Sequence, residues 1–197
     1  MATPFDVAAY ILAHTGTIDT FKLQKLVYYS QAWNLVWTDR SLFEDEIQAW
    51  PNGPVVPPLW NQSRGMRKIS ACSVGAVGNL TVTQRAAIDA VLARYGSWDS
   101  QRLVDQTHAE QPWRDARKGL GALDRSTNTI SLETMKDFYS AAAPAQRPMK
   151  PVALRDPRIA ALPEWAAMDD FLDGAFDASG TDDSPEMLAL AAKLVAQ

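Results

Sequence analysis

Residues 20–37 read TFKLQKLVYYSQAWNLVW, and this stretch decides the fold. At about 100° per residue, Leu23, Leu26, Ser30 and Trp37 share one face of a helix. Gln24, Tyr28, Gln31 and Leu35 share a second face, and Lys22, Lys25 and Tyr29 a third. Apolar or aromatic residues lie nearly all round and only two charges interrupt them, so this helix belongs at the centre of the molecule. Its expected span is from Asp19 or Thr20 to about Val36.

Helices are predicted on either side of it. Before it, Thr3 can cap a helix with Pro4 in its first turn and Asp6 at the positive end of its dipole, running to about His14 before Gly16. After Thr83, an apolar side through Ile88, Val91 and Tyr95 predicts a helix stopped by Gly96. Ser97 can cap the next, with Leu103, Val104 and Thr107 inward and His108 near its end. Pro112 opens a short helix with Trp113, ended by Gly119 and Gly121. Ser131 caps a last helix carrying Met135, Phe138 and Tyr139. Between these groups, residues 41–44 and 46–50 look extended, and Asn52-Gly53 is a turn signal. Pro54, Pro57 and Pro58 oppose a continuous strand, although Pro58 fits the first turn of a short helix through Trp60 and Gln62. Residues 66–80 hold one more short strand or only loop.

The fold class expected is therefore mainly α: a helical domain with a small β element, followed by an acidic helical extension. Pro144, Pro148 and Pro151 mark a linker over 143–152. Residues 153–197 form the extension: from 152 on, the chain has nine acidic and three basic side chains, whereas residues 1–151 have fourteen and sixteen. Two short helices are expected there, one carrying Trp165, Met168 and Leu172. That stripe either docks on its own body or inserts into a partner's groove.

Composition excludes several functions. Lys+Arg is 19 and Asp+Glu 23, so a net charge of −4 argues against a general nucleic-acid binder. One cysteine, Cys72, makes neither an internal disulfide nor a thiolate zinc cage, and a reducing cytoplasm is the simplest compartment. Two histidines, His14 and His108, rule out a multi-histidine metal site, and no phosphate loop, dinucleotide fingerprint or nucleophile elbow is present. The beginning of the chain does not read as a signal peptide, and no apolar run approaches the ~20 residues that span a membrane. No cofactor or metal is expected. A Cys72–His108 nucleophile pair lacks any activating pattern. His108 reads best as a structural ring bonded to a backbone carbonyl, ahead of partner contact or catalysis. Lys22 and Lys25 read as a solvated helix edge, with an anion- or partner-contact patch as the competing reading.

The joint pattern of Lys22-Leu-Gln-Lys-Leu26, Tyr28, Gln31 and Trp33, Ala49-Trp50, Gly53-Pro-Val-Val-Pro57, and His108 with Pro112-Trp113 resembles the Panacea domain of SocA-like antitoxins and phage-associated GepA-type proteins. The resemblance covers roughly residues 4 to 140, within a domain placed at 1–142. It departs at Asn52 and Gln111, where the family more often has other residue types. It implies an antitoxin that binds and neutralises a cognate protein toxin and, in SocA-like members, delivers it to the ClpXP protease. A hetero-complex or a homo-oligomer both fit. The resemblance marks Leu23, Gln24, Leu26, Ala49, Gly53, Pro54, Val55, Pro57, His108, Pro112 and Trp113 as scaffold. Candidate toxin-binding residues are Lys22, Lys25, Tyr28, Tyr29, Trp33, Trp50, Trp60, Trp165, Met168 and Leu172, the aromatics serving as anchors where they are exposed. Competing readings are a hydrolase-like enzyme using His108 and a DNA-binding autoregulator.

Overall fold

Thr3 and Asp6 close the first turn of the chain in both directions. The Asp6 N–H bonds Thr3 Oγ1 at 3.2 Å while the Asp6 carboxylate accepts the Thr3 N–H at 2.8 Å, and helix α1 (Pro4–Thr15) grows from this capping box. The other Asp6 oxygen accepts from the Ala76 N–H and Asn79 Nδ2, which ties a distant loop to the start of the helix. The computed structural model describes residues 2–142 and 144–151. The acidic extension, with Trp165, Met168 and Leu172, lies outside them.

After strand β1 (Ile18–Asp19), Asp19 caps helix α2 (Thr20–Thr38) by accepting the Phe21 N–H. Every residue from Leu23 to Leu35 is buried. This is the central helix that the all-round apolar pattern requires. The next stretch, 39–47, is loop, so the extended piece expected at 41–44 does not form. Its backbone is occupied by a side chain: Gln31 Oε1 accepts the N–H of Leu42 and Phe43, and Gln31 Nε2 donates to the Phe43 carbonyl.

Strands β2 (Gln48–Trp50) and β3 (Gly53–Val55) form an antiparallel hairpin across the Asn52-Gly53 turn, where Gly53 has φ +97°. Pro54 lies inside β3, against the expectation from its chemistry. It fits because it pairs with Ala49, whose N–H points the other way, to the Asn128 carbonyl. Residues 128–130 thus flank the second edge of β2, with Ile130 N–H on the Ile47 carbonyl. Helix α3 (Pro57–Gln62) follows, and β4 (Lys68–Ile69) pairs with β1.

Helix α4 (Val82–Tyr95), expected to begin after Thr83, starts slightly earlier with Thr81 as its cap, and α5 (Ser100–Ala109) is capped by Asp99 rather than the expected Ser97. Helix α6 (Gln111–Ala116) has Pro112 in its first turn and stops before Gly119. Helix α7 (Leu132–Ala141) is capped by Ser131 as expected. Helices α1, α4, α5 and α7 all pack on α2, and β3 lies against it. Within the stretch expected as a linker, Arg147 donates to the carbonyls of Ser140 and Ala142 and closes the C-terminal end of α7.

Candidate functional site

A strip of half-buried rings runs across the face formed by the start of α2, the β2–β3 hairpin, α3, α6 and the end of α5. Phe21 lies 5.4 Å from Trp60, and Trp60 meets Trp50 edge-on at 5.9 Å. The Trp113 indole donates to the Trp50 carbonyl at 3.0 Å, and His108 stacks on Trp113 at 4.0 Å. The Arg117 guanidinium covers the Trp113 ring at 5.2 Å. Each ring is neither sealed in the core nor free in water, the condition under which large rings serve as binding anchors.

Beneath the strip, the residues of the two short motifs hold each other. Lys25 is fully buried and its Nζ donates to the Pro54 carbonyl at 3.1 Å. A Cβ on Gly53 would sit 2.5 Å from Lys25 Cε and 2.9 Å from Thr107 Oγ1, so only glycine leaves the lysine its place. The neighbouring Gln24 accepts the Val56 N–H. Burial lowers the Lys25 ammonium to about 7, against a smaller upward pull from Asp19. His108 is also lowered, first by burial and then by the charges of Lys25 and Arg117, while Asp105 and a hydrogen bond to the Pro51 backbone oppose this. The backbone group that its ring bonds is in the hairpin turn. Its Nε2 is buried with no partner.

A second polar group lies deeper. Glu110, between α5 and α6, accepts from Tyr29 at 3.2 Å, Tyr139 at 2.5 Å and Gln106 at 3.0 Å. The Tyr28 and Tyr139 hydroxyls are 3.1 Å apart. Tyr29 stacks on Tyr95, whose hydroxyl accepts from the Trp33 indole. Burial pushes the Glu110 carboxyl up to about 7, against the three hydrogen bonds, which favour its charged form.

Four residues expected as contact candidates are thereby relocated. Lys25, Tyr28, Tyr29 and Trp33 are at most 1% exposed and serve the interior. The solvated-edge reading of Lys25 is corrected for the same reason: its neighbour is a carbonyl on β3, not water. Lys22 is partly buried and donates to the Gly96 carbonyl at the end of α4. Trp50 and Trp60 alone among the candidate aromatics in the described residues reach the surface, where Trp113 and His108, expected as scaffold, join them. Glu110 escaped the sequence reading, although the inward stripe of Leu103 and Thr107 reaches it at helical spacing.

Among the described residues, no group of three or more His, Cys, Asp or Glu stands ready to hold a metal, and no helix is long and apolar enough to cross a membrane. Residues 23–114 match the family model described as antitoxin SocA-like, Panacea domain. No curated protein and no solved structure matches the chain.

Proposed function

We propose that the protein is the antitoxin of a toxin–antitoxin pair, binding a cognate protein toxin and neutralising it, because residues 23–114 match the model of the SocA-like antitoxin Panacea domain. The family match carries this reading. The strip of Phe21, Trp60, Trp50, Trp113 and His108 supplies the surface, and the protein transforms no substrate itself. Neutralisation needs only an interface that covers or distorts the toxin's working surface, and stable interfaces of this kind bury about 1,600 Å² in total. Two indoles already held in place lose little side-chain entropy on docking. The interaction takes place in the cytoplasm, and a second step in which the antitoxin hands its toxin to ClpXP is compatible with the same surface.

Co-expression with the product of the adjacent small gene tests the proposal. Restored growth together with co-purification supports it, and failure of both, with a folded protein, defeats it. Trp60→Ala is expected to weaken the complex at least tenfold while the circular dichroism spectrum stays that of the parent. Toxin half-life in the presence of ClpXP separates delivery from occlusion: shortening by the antitoxin supports the adaptor step, and an unchanged half-life leaves occlusion.

A further inference from the structure

A second row of rings runs from the surface to the Glu110 network, and its ring contacts include none of the strip's members. Trp33 and Trp37 stand one turn apart on α2 with their ring centres 5.6 Å apart, and Trp33 lies 5.4 Å from Tyr139 on α7. Trp37 is half-buried, whereas Trp33 and Tyr139 are buried. Three rings therefore join the surface to the carboxyl group of Glu110, which accepts the Tyr139 hydroxyl at 2.5 Å. The row continues from Tyr139 to Tyr29 at 6.1 Å, then to Tyr95 at 4.2 Å and Trp98 at 5.2 Å. Cations cap this far end: the Arg102 guanidinium lies 3.8 Å from the Trp98 ring and that of Arg94 5.3 Å.

Electron-rich rings in such contact pass a missing electron between them, and charge decides where it stops. An oxidised indole is a cation. At Trp33 it carries the penalty of an unpaired buried charge, and at Trp98 it faces two guanidiniums. An oxidised phenol sheds its proton to a neighbouring base and becomes neutral. Within the row, the carboxyl group that serves as that base is Glu110. Burial holds the Tyr139 phenol protonated far above its usual range, while the Glu110 carboxyl gives up its proton at about 7. Moving the phenol's proton onto the carboxylate also removes a buried negative charge. We propose that Trp37, Trp33 and Tyr139 form a one-electron relay, through which a small oxidant at the surface, such as the carbonate or nitrogen dioxide radical, leaves a neutral tyrosyl radical on Tyr139. The oxidant takes one electron from Trp37 and is itself reduced. Trp33 refills Trp37, Tyr139 refills Trp33, and the Tyr139 proton crosses to Glu110 Oε2. One oxidising equivalent is stored and no substrate is turned over. The inference goes beyond the antitoxin reading and does not depend on it.

The chain has five tyrosines, and Tyr10 lies outside the row but donates to the Asp89 carboxylate. The test therefore starts from the full-length Tyr10→Phe chain, in which the remaining phenols are Tyr28, Tyr29, Tyr95 and Tyr139. It is oxidised by flash-quenched ruthenium tris(bipyridine), which is too large to enter the core, and frozen for electron paramagnetic resonance. A neutral tyrosyl signal is expected. Adding Trp37→Phe, Tyr139→Phe or Glu110→Gln is expected to lower its yield about fivefold or more. The groups facing Glu110 are Tyr28 and Tyr29 from α2, Tyr95 from α4, Gln106 from α5 and Tyr139 from α7, none of them charged near neutrality. Raising the pH from 6 to 8 is therefore expected to increase the yield about fivefold, and to leave it unchanged once Glu110→Gln is added. A radical confined to tryptophan, or no radical, overturns the proposal. So does a tyrosyl yield that survives Trp37→Phe or Tyr139→Phe undiminished. If Glu110→Gln does not fold, the pH response of the starting chain decides, and a flat response overturns the relay.

Discussion

Gly53 and Lys25 belong to different motifs, and neither is explicable without the other. The glycine's positive φ allows the hairpin turn, and its missing side chain leaves room for a lysine whose ammonium is held by the next residue's carbonyl. Gly53→Ala is expected to lower stability by about 2–4 kcal/mol, combining backbone strain with displacement of a buried chain. Equilibrium urea unfolding checks this, and a loss below ~1 kcal/mol would mean that the lysine repositions freely. Sequence alone identified both residues as motif positions, but not their partnership. A lysine on a helix is normally solvated, and nothing local says that its acceptor is a carbonyl 29 positions away.

At the scale of elements, the parts of the fold that were legible are those whose cause is local. Thr3, Asp19 and Ser131 cap the helices that their positions predict, because a cap is a bond between near neighbours. The length and burial of α2 followed from its composition. The stretch 41–44 was misread as extended because its pairing partner is a glutamine side chain on α2, which no period-two pattern encodes. Gln31→Leu is expected to leave the Leu42 and Phe43 N–H groups buried without acceptors, lowering stability by about 3 kcal/mol. The loop should then be cut faster by protease than in the parent. Unchanged cleavage would show that other contacts hold it.

Across the whole molecule, two buried groups of opposite charge type make stability depend on pH in opposite directions. Glu110 keeps its proton to about 7 when folded, against an ordinary value of 4.5. Its favourable contribution is fully present below pH 4.5 and is lost as pH rises through 7. Lys25 releases its proton at about 7 when folded, against an ordinary 10.5. Its cost is fully present below pH 7 and disappears as pH rises through 10.5. Within each window the slope is about 1.4 kcal/mol per pH unit, and the joint contribution is lowest near neutrality. Glu110→Gln should therefore gain on the parent as pH rises from 5 to 7, and Lys25→Met should lose ground to it from 7 to 9. Thermal melts across this range test both, and parallel curves would show that neither group titrates in the folded chain.

The Glu110 network also bears on how the protein is made. Tyr29, Glu110 and Tyr139 are joined across 81 and 29 positions of the chain. During translation the middle helix emerges from the ribosome long before the last phenol that closes this group. Until then its tyrosines and Trp33 lack their final cover, and nascent chains ending before residue 139 present a greasy surface to chaperones and proteases.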